Sequence, residues 1–303
     1  MLWLILCILA ALAWSISAFI DNYQTDVIFR GKTPQAMKVL NGPTYIAIAI
    51  IAGIVMQVQL PGDFLQIALL LLAGAFCSVG ALAYYQALET EESTGVAIFY
   101  QLQPVLMLIA DYFIFGENIT IQQILGFIII LTAPVVVIAS RRRAKSRHIA
   151  LKTAGFMIIH SIFAVISAEI CTRSSSGMDF RAIFILYIFG RGLTDCLLGF
   201  IPKYYKRHKY ILKRQPAAYV GSVVINQTIC AFADCAYRYG LILGFSAIVS
   251  AVANAAELII TFTLGIIISI IWPVFGREKL HRHIIVAHLI AVILCVVGII
   301  IIQ

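Results

Sequence analysis

Phe245–Glu278 reads FSAIVSAVANAAELIITFTLGIIISIIWPVFGRE. No Lys or Arg interrupts it before Arg277, so the apolar run is long enough to cross a bilayer as a helix. Ser246, Ser250, Asn254, Glu257 and Thr261 recur at helical spacing and share one face. The other faces carry Ile, Leu, Val, Ala and Phe. A carboxylate near mid-membrane on a single polar stripe is costly against lipid, so this face must meet protein or a water-filled cavity. The rest of the chain is expected to build that cavity.

The composition agrees with a membrane setting. Of 303 residues, 62% are hydrophobic and 12% charged, about half the charge of a soluble domain. Apolar runs recur from end to end, predicting an all-α integral membrane protein. The net charge of +8 comes from short loops between the runs, where it reads as membrane anchoring, not nucleic-acid binding. Cys7, Cys77, Cys171, Cys196, Cys230, Cys235 and Cys295 all fall within apolar runs, without CxxC or Cys/His metal spacing. Neither disulfides nor a metal is expected. Residues 1–20 resemble a signal peptide in length but lack a basic n-region, and are read as a mature span.

Ten spans are predicted, over residues 2–20, 36–57, 64–89, 94–115, 120–140, 152–172, 181–201, 216–239, 245–274 and 282–302. Pro104 and Pro134 fall inside spans 4 and 5 and mark kinks. AYYQAL (Ala83–Leu88) aligns with AYRYGL (Ala236–Leu241) at an offset of 153, which also pairs Ser93 with Ser246, Pro104 with Glu257 and Lys38 with Arg191. Phe115-Gly116-Glu117 aligns with Phe275-Gly276-Arg277-Glu278. The chain then divides into two five-helix repeats, 1–147 and 148–303. Five is odd, so the second lies inverted relative to the first, with a substrate site between them. Odd-numbered loops hold Arg30, Lys32 and Lys38; Arg141–Arg143, Lys145, Arg147 and Lys152; Lys203–Arg214; and Arg277, Lys279 and Arg282. Even-numbered loops hold Arg173, Arg181 and Arg238. This bias puts the odd loops in the cytoplasm and both termini outside.

Three i,i+4 pairs of opposite charge occur within spans: Glu169–Arg173, Arg191–Asp195 and Asp234–Arg238. Self-neutralised ion pairs are the plainer reading of the first two. Asp234 extends a stripe of Ser222, Asn226 and Cys230 toward the cavity, while Arg238 snorkels outward. Asp111 is read as interfacial. Glu257 has no Lys, Arg or His within four residues. Such a carboxyl can carry a proton or receive a cationic group; the alternative is a protonated acid bonding two helices together. His160 is either a hydrogen-bonded structural group or a cavity residue. Trp14, Tyr84, Tyr85, Tyr100 and Gln101 are candidates to line the cavity, though Tyr and Trp also anchor interfaces. The candidate substrate-binding set is Trp14, Tyr84, Tyr85, Tyr100, Gln101, His160, Asn226, Asp234, Ser250, Asn254 and Glu257, with Glu257 as coupling residue. P-loop, HExxH and GxSxG motifs do not occur, so neither ATP use nor enzyme activity is expected.

The stretch GALAYYQALETEESTGVAIFYQLQPVLMLIADYFIFGENITIQQILGFIIIL (Gly80–Leu131) resembles the first EamA repeat of the drug/metabolite transporter superfamily. The shared features are the Tyr-rich end of span 3, Ser93-Thr94-Gly95, Pro104, Gly116-Glu117 and Gly126. The second half is looser, keeping Arg191 and Gly276-Arg277-Glu278 but holding Glu257 where the first half has Pro104. The resemblance implies a central cavity lined by spans 1, 3, 4, 6, 8 and 9, with spans 5 and 10 outside it. It implies a secondary transporter of a small metabolite such as an amino acid, exporting by alternating access; the lone Glu257, not the resemblance, makes a proton the candidate coupling ion. A facilitative exchanger of sugars or nucleotide conjugates, or a non-transporting membrane enzyme or lipid-handling subunit, are the alternatives. No cofactor and no nucleic acid are expected; the partners are a small-molecule substrate and the lipid bilayer of a cell membrane, most simply the bacterial inner membrane. A monomer or loose dimer is expected.

Overall fold

The computed structural model describes residues 1–91, 93–114, 116–140, 144–175, 177–271 and 282–302, giving only the backbone for 144–147 and 282–284. Among these residues there are helices and turns but no strand. The helices are α1 (Leu2–Tyr23), α2 (Lys38–Val55), α3 (Phe64–Leu88), α4 (Ser93–Ala97), α5 (Leu102–Phe113) and α6 (Ile121–Ser140). They continue with α7 (Ala144–Arg173), α8 (Phe180–Gly199), α9 (Pro202–Arg214), α10 (Pro216–Leu243), α11 (Ser246–Ile271) and α12 (Arg282–Ile302). Among the described residues, ten segments are long and apolar enough to cross a membrane, and each overlaps one of the ten predicted spans. The aligned Phe115 and Phe275-Gly276-Arg277-Glu278, and the loop residues Arg141–Arg143 and Lys279, lie outside the described residues.

Span 4 is broken, as the mid-span proline predicts. α4 passes through a 3₁₀ turn (Ile98–Gln101) into α5. Pro104 has no N–H to offer the carbonyl of Tyr100 four residues back, so the α-helical ladder cannot run through. α1 ends in a π-helical turn, Gln24–Ile28, and α2 is preceded by a 3₁₀ turn, Pro34–Met37. One expectation is corrected here. Residues 202–214, expected to be loop, form α9: Pro202 starts it, and Tyr204, His208 and Ile211 put packing groups on one face.

The bundle is held by a few recurring pairings. α6 packs on α12, α2 on α8, α3 on α7 and α8, α1 on α10 and α11, and α5 on α11. At the α6–α12 seam, a side chain on Gly298 would meet the Gly126 carbonyl oxygen at 2.7 Å and Ile130 Cγ1 at 2.6 Å. Only glycine allows these two backbones to come this close, the usual means of association where lipid removes any hydrophobic drive.

The charged residues pair across helices. Asp195 does not pair with Arg191 one turn away. It accepts from Lys38 Nζ at 2.9 Å and from Ser78 Oγ, with both ionic groups essentially fully buried. Lys38 is therefore a core residue, not part of a loop. Arg191 instead donates to Asp234, with Tyr45 stacked on its guanidinium 4.4 Å from ring centroid to Cζ. A base N-terminal to an acid at i,i+4 is the weaker order on a helix, which fits the choice of cross-helix partners. Glu169–Arg173 has the stronger order and does form, at 3.4 Å. Arg173 also binds Asp111 and Glu117, each at 3.0 Å. Asp111, two residues from the end of α5, is fully buried in protein where it joins this knot between α5 and α7.

Candidate functional site

α11 turns its polar stripe inward: Ser246, Ser250, Asn254, Glu257 and Thr261 are all buried. Most of the stripe stitches helices together. Thr261 Oγ1 donates to Ser15 Oγ (2.9 Å), and Ser15 Oγ to the Glu257 carbonyl (3.3 Å). Asn254 Nδ2 donates to the Tyr100 carbonyl at 3.0 Å, the very group that Pro104 leaves without an N–H. Gln101 Nε2 reciprocates to the Asn254 carbonyl at 2.9 Å. The kink in span 4 is thereby capped from α11.

The Glu257 side chain is the exception on that stripe. Its carboxyl makes no hydrogen bond or ion pair among the described residues and faces a central cavity. The cavity is partly open to the outside, and its empty space together with that of its mouth comes to about 960 Å³. Trp14, Tyr84, Tyr85, Tyr100, His160, Asp234 and Asn254 line it as well. Gln101, Asn226 and Ser250 lie beside it and act on it through hydrogen bonds. The structure thus gathers most of the sequence candidates around one space and puts those three in the layer behind.

The wall is aromatic and charged. Tyr84, Tyr100 and His160 form a cluster with ring centroids 5.6–6.2 Å apart, and Trp14 meets Tyr237 edge-on at 5.0 Å. Asp21 accepts from Asn226 Nδ2 (2.8 Å) and Tyr84 Oη (3.2 Å), all neutral donors. On the α8–α10 side, Asp234 accepts from Arg191 and from Tyr187 Oη at 3.0 Å, and Arg238 lies beside them as a second cation on the same wall. Arg238 is buried. It donates to the Ser167 carbonyl (3.3 Å) and Oγ (3.0 Å) and lies 3.5 Å above the Tyr187 ring. This corrects the expectation that it snorkels: a stacked, hydrogen-bonded guanidinium tolerates the interior that a bare cation would leave.

Asp21, Arg191 and Arg238 were not among the sequence candidates. Asp21 closes an apolar run and so reads as a helix end, yet Trp14, Ser17 and Asp21 stand at steps of three and four on one face. Arg238 lies one turn beyond Asp234 on the stripe already noted. Among the described residues, no three His, Cys, Asp or Glu side chains converge as a metal site would need.

The profile of the EamA-like transporter family matches residues 1–139. The comparison with curated proteins yields no match. A solved structure described only as "Crystal structure of protein" superposes with a TM-score of 0.66 at 17% identity, covering 99% of this chain and 94% of its own. That likeness establishes a shared fold along the whole chain. Over residues 1–139, somewhat less than half of its length, this membrane protein is similar to the EamA-like transporter family.

Proposed function

We propose that the chain exports a small zwitterionic metabolite of amino-acid type by alternating access between two inverted five-helix halves. The observation that carries this reading is a cavity with unpaired carboxyls on one side and an excess guanidinium on the other. Glu257 projects from α11, which packs on α1 and α5; Arg191 projects from α8, which packs on α2 and α3. An ammonium group is suited to Glu257 and Asp21, and a carboxylate to the Arg191–Arg238 pair. Glu257, having no other partner, is where proton and ammonium would compete, which is the simplest antiport.

The inverted halves are supported by the packing. A five-helix shift exchanges the α3–α7 contact with α10–α1, and leaves α2–α8, α6–α12 and α5–α11 as self-paired seams. Gln101 and Asn254, equivalent at the 153 offset, bond to each other. A phosphorylated or nucleotide conjugate is the second reading. The buried Arg238 beside Arg191 favours it by adding a second guanidinium to the cavity wall; the two carboxylates oppose it.

The test is uptake into proteoliposomes, with an amino acid against its decarboxylated amine and its amide. The zwitterion should be carried and compete, and the two singly charged analogues should not. In Glu257→Gln, transport should lose its dependence on the pH gradient. Equal transport of all three analogues would overturn the zwitterion reading, and a wild-type pH profile in Glu257→Gln would end the coupling role.

A further inference from the structure

α9 joins the end of α8 at Gly199 to the start of α10 at Pro216. Both of those helices are long and apolar enough to cross a membrane, so α9, about 20 Å long at 1.5 Å per residue, connects them at one end of the bundle, where a bilayer surface would lie. Its two faces differ. On the packed face, Ile211 is buried among Phe29, Met37 and Tyr219, and His208 Nδ1 lies 2.9 Å from Tyr219 Oη. Arg207 donates to the carbonyls of Phe29 and Lys32 and stacks over the Phe29 ring. On the outer face Lys203, Lys206, Lys209, Lys213 and Arg214 are exposed, with Tyr205 and Tyr210 half exposed among them.

No Asp or Glu occurs between Gly199 and Pro216. On the packed side, Glu89 stands near Tyr204 and accepts from Gln35 Nε2 at 3.2 Å, so it does not face the outer row. A row of like charges on one helical face destabilises that helix unless something anionic faces it. Arg207 also holds the exposed Arg30 and Lys32 beside the row. At the depth of a span end, the extended anion available is a layer of lipid phosphates. Exposed Leu197, Phe200 and Ile201 at the entry to α9 supply the apolar contact such a surface needs.

We infer that α9 is a binding platform for anionic phospholipid headgroups. Through Arg207 it ties the charge of that leaflet to the turn between α1 and α2. The π-helical turn that continues α1 begins three residues after Asp21 of the cavity, so the lipid contact bears on the position of a cavity carboxyl. This inference is independent of the substrate.

The test is thermal unfolding of the full-length protein in neutral detergent. The additives are phosphatidylglycerol, phosphatidylcholine and soluble glycerol phosphate. Phosphatidylglycerol should raise the melting temperature, and the other two should not. The triple variant Lys203→Gln, Lys206→Gln, Lys209→Gln should melt like wild type in phosphatidylcholine and lose the phosphatidylglycerol response. The matching triple Arg variant should keep it. A wild-type response in the Gln variant overturns the platform. An equal response to soluble glycerol phosphate would mean a free-anion site and would also overturn it. Loss of the response in the Arg variant would show that something other than charge is read, and the platform would fall on that result too.

Discussion

Lys38→Met removes the cation from a pair that is 1% and 0% exposed. Asp195, fully buried, would be left with Ser78 Oγ and no counter-charge. Removing one member of a buried pair costs about 3–5 kcal/mol, because the remaining charge keeps its desolvation penalty. At roughly 2–4 °C per kcal/mol for a chain of this size, the melting temperature should fall by on the order of 10 °C. Replacing both members, Lys38→Met with Asp195→Leu, removes the stranded charge and should recover most of the loss. The seven cysteines are free and lie in the spans, so a thiol-reactive fluorophore added during heating reports unfolding directly. A single variant that melts within about 2 °C of wild type would refute the pairing, given the expected shift. So would a double variant no more stable than the single one.

Asn254→Ala should lose about 1 kcal/mol by uncapping the Tyr100 carbonyl, and much less in a Pro104→Ala background, where residue 104 regains an N–H for it; a double-mutant cycle of melting temperatures checks this. Gly298→Val drives a side chain into Ile130 and the Gly126 backbone, so the yield of monodisperse protein after detergent extraction should fall sharply. His208 lies in α9, where burial holds its pKa below the usual 6.5. As pH drops below about 6.5 the released ring takes its proton before the packed one does, so stability present at neutral pH is lost on acidification. Melting between pH 7.5 and 5.5 should show a decline that His208→Gln reduces.

The spans were legible because bilayer thickness imposes a length on every apolar run, and the α11 stripe because one carboxylate among small polar residues has few places to go. Pro104 gave the break in span 4 for a local covalent reason. The partners of the charges were not legible. Arg191 and Asp195 sit at perfect helical spacing, yet their choice depends on which helices pack together, and that is set by contacts such as Gly126 with Gly298 between distant parts of the chain. α9 was hidden because a dense basic run looks like a solvated loop until its few packing residues, Tyr204, His208 and Ile211, are seen to share a face. Asp21 was hidden by its place at the end of an apolar run, where a carboxylate usually marks the water.

The bonds that close the bundle reach far along the chain. Lys38 meets Asp195 across 157 residues, and the Tyr100 carbonyl meets Asn254 across 154. At about 5–20 residues per second of synthesis, these partners arrive about 8–30 s late. For that interval the nascent first half sits in the membrane with an ammonium group and a backbone carbonyl both waiting. Residues 1–147 made alone should therefore be cleared by quality-control proteases, while the two halves made as separate chains in one cell should protect each other.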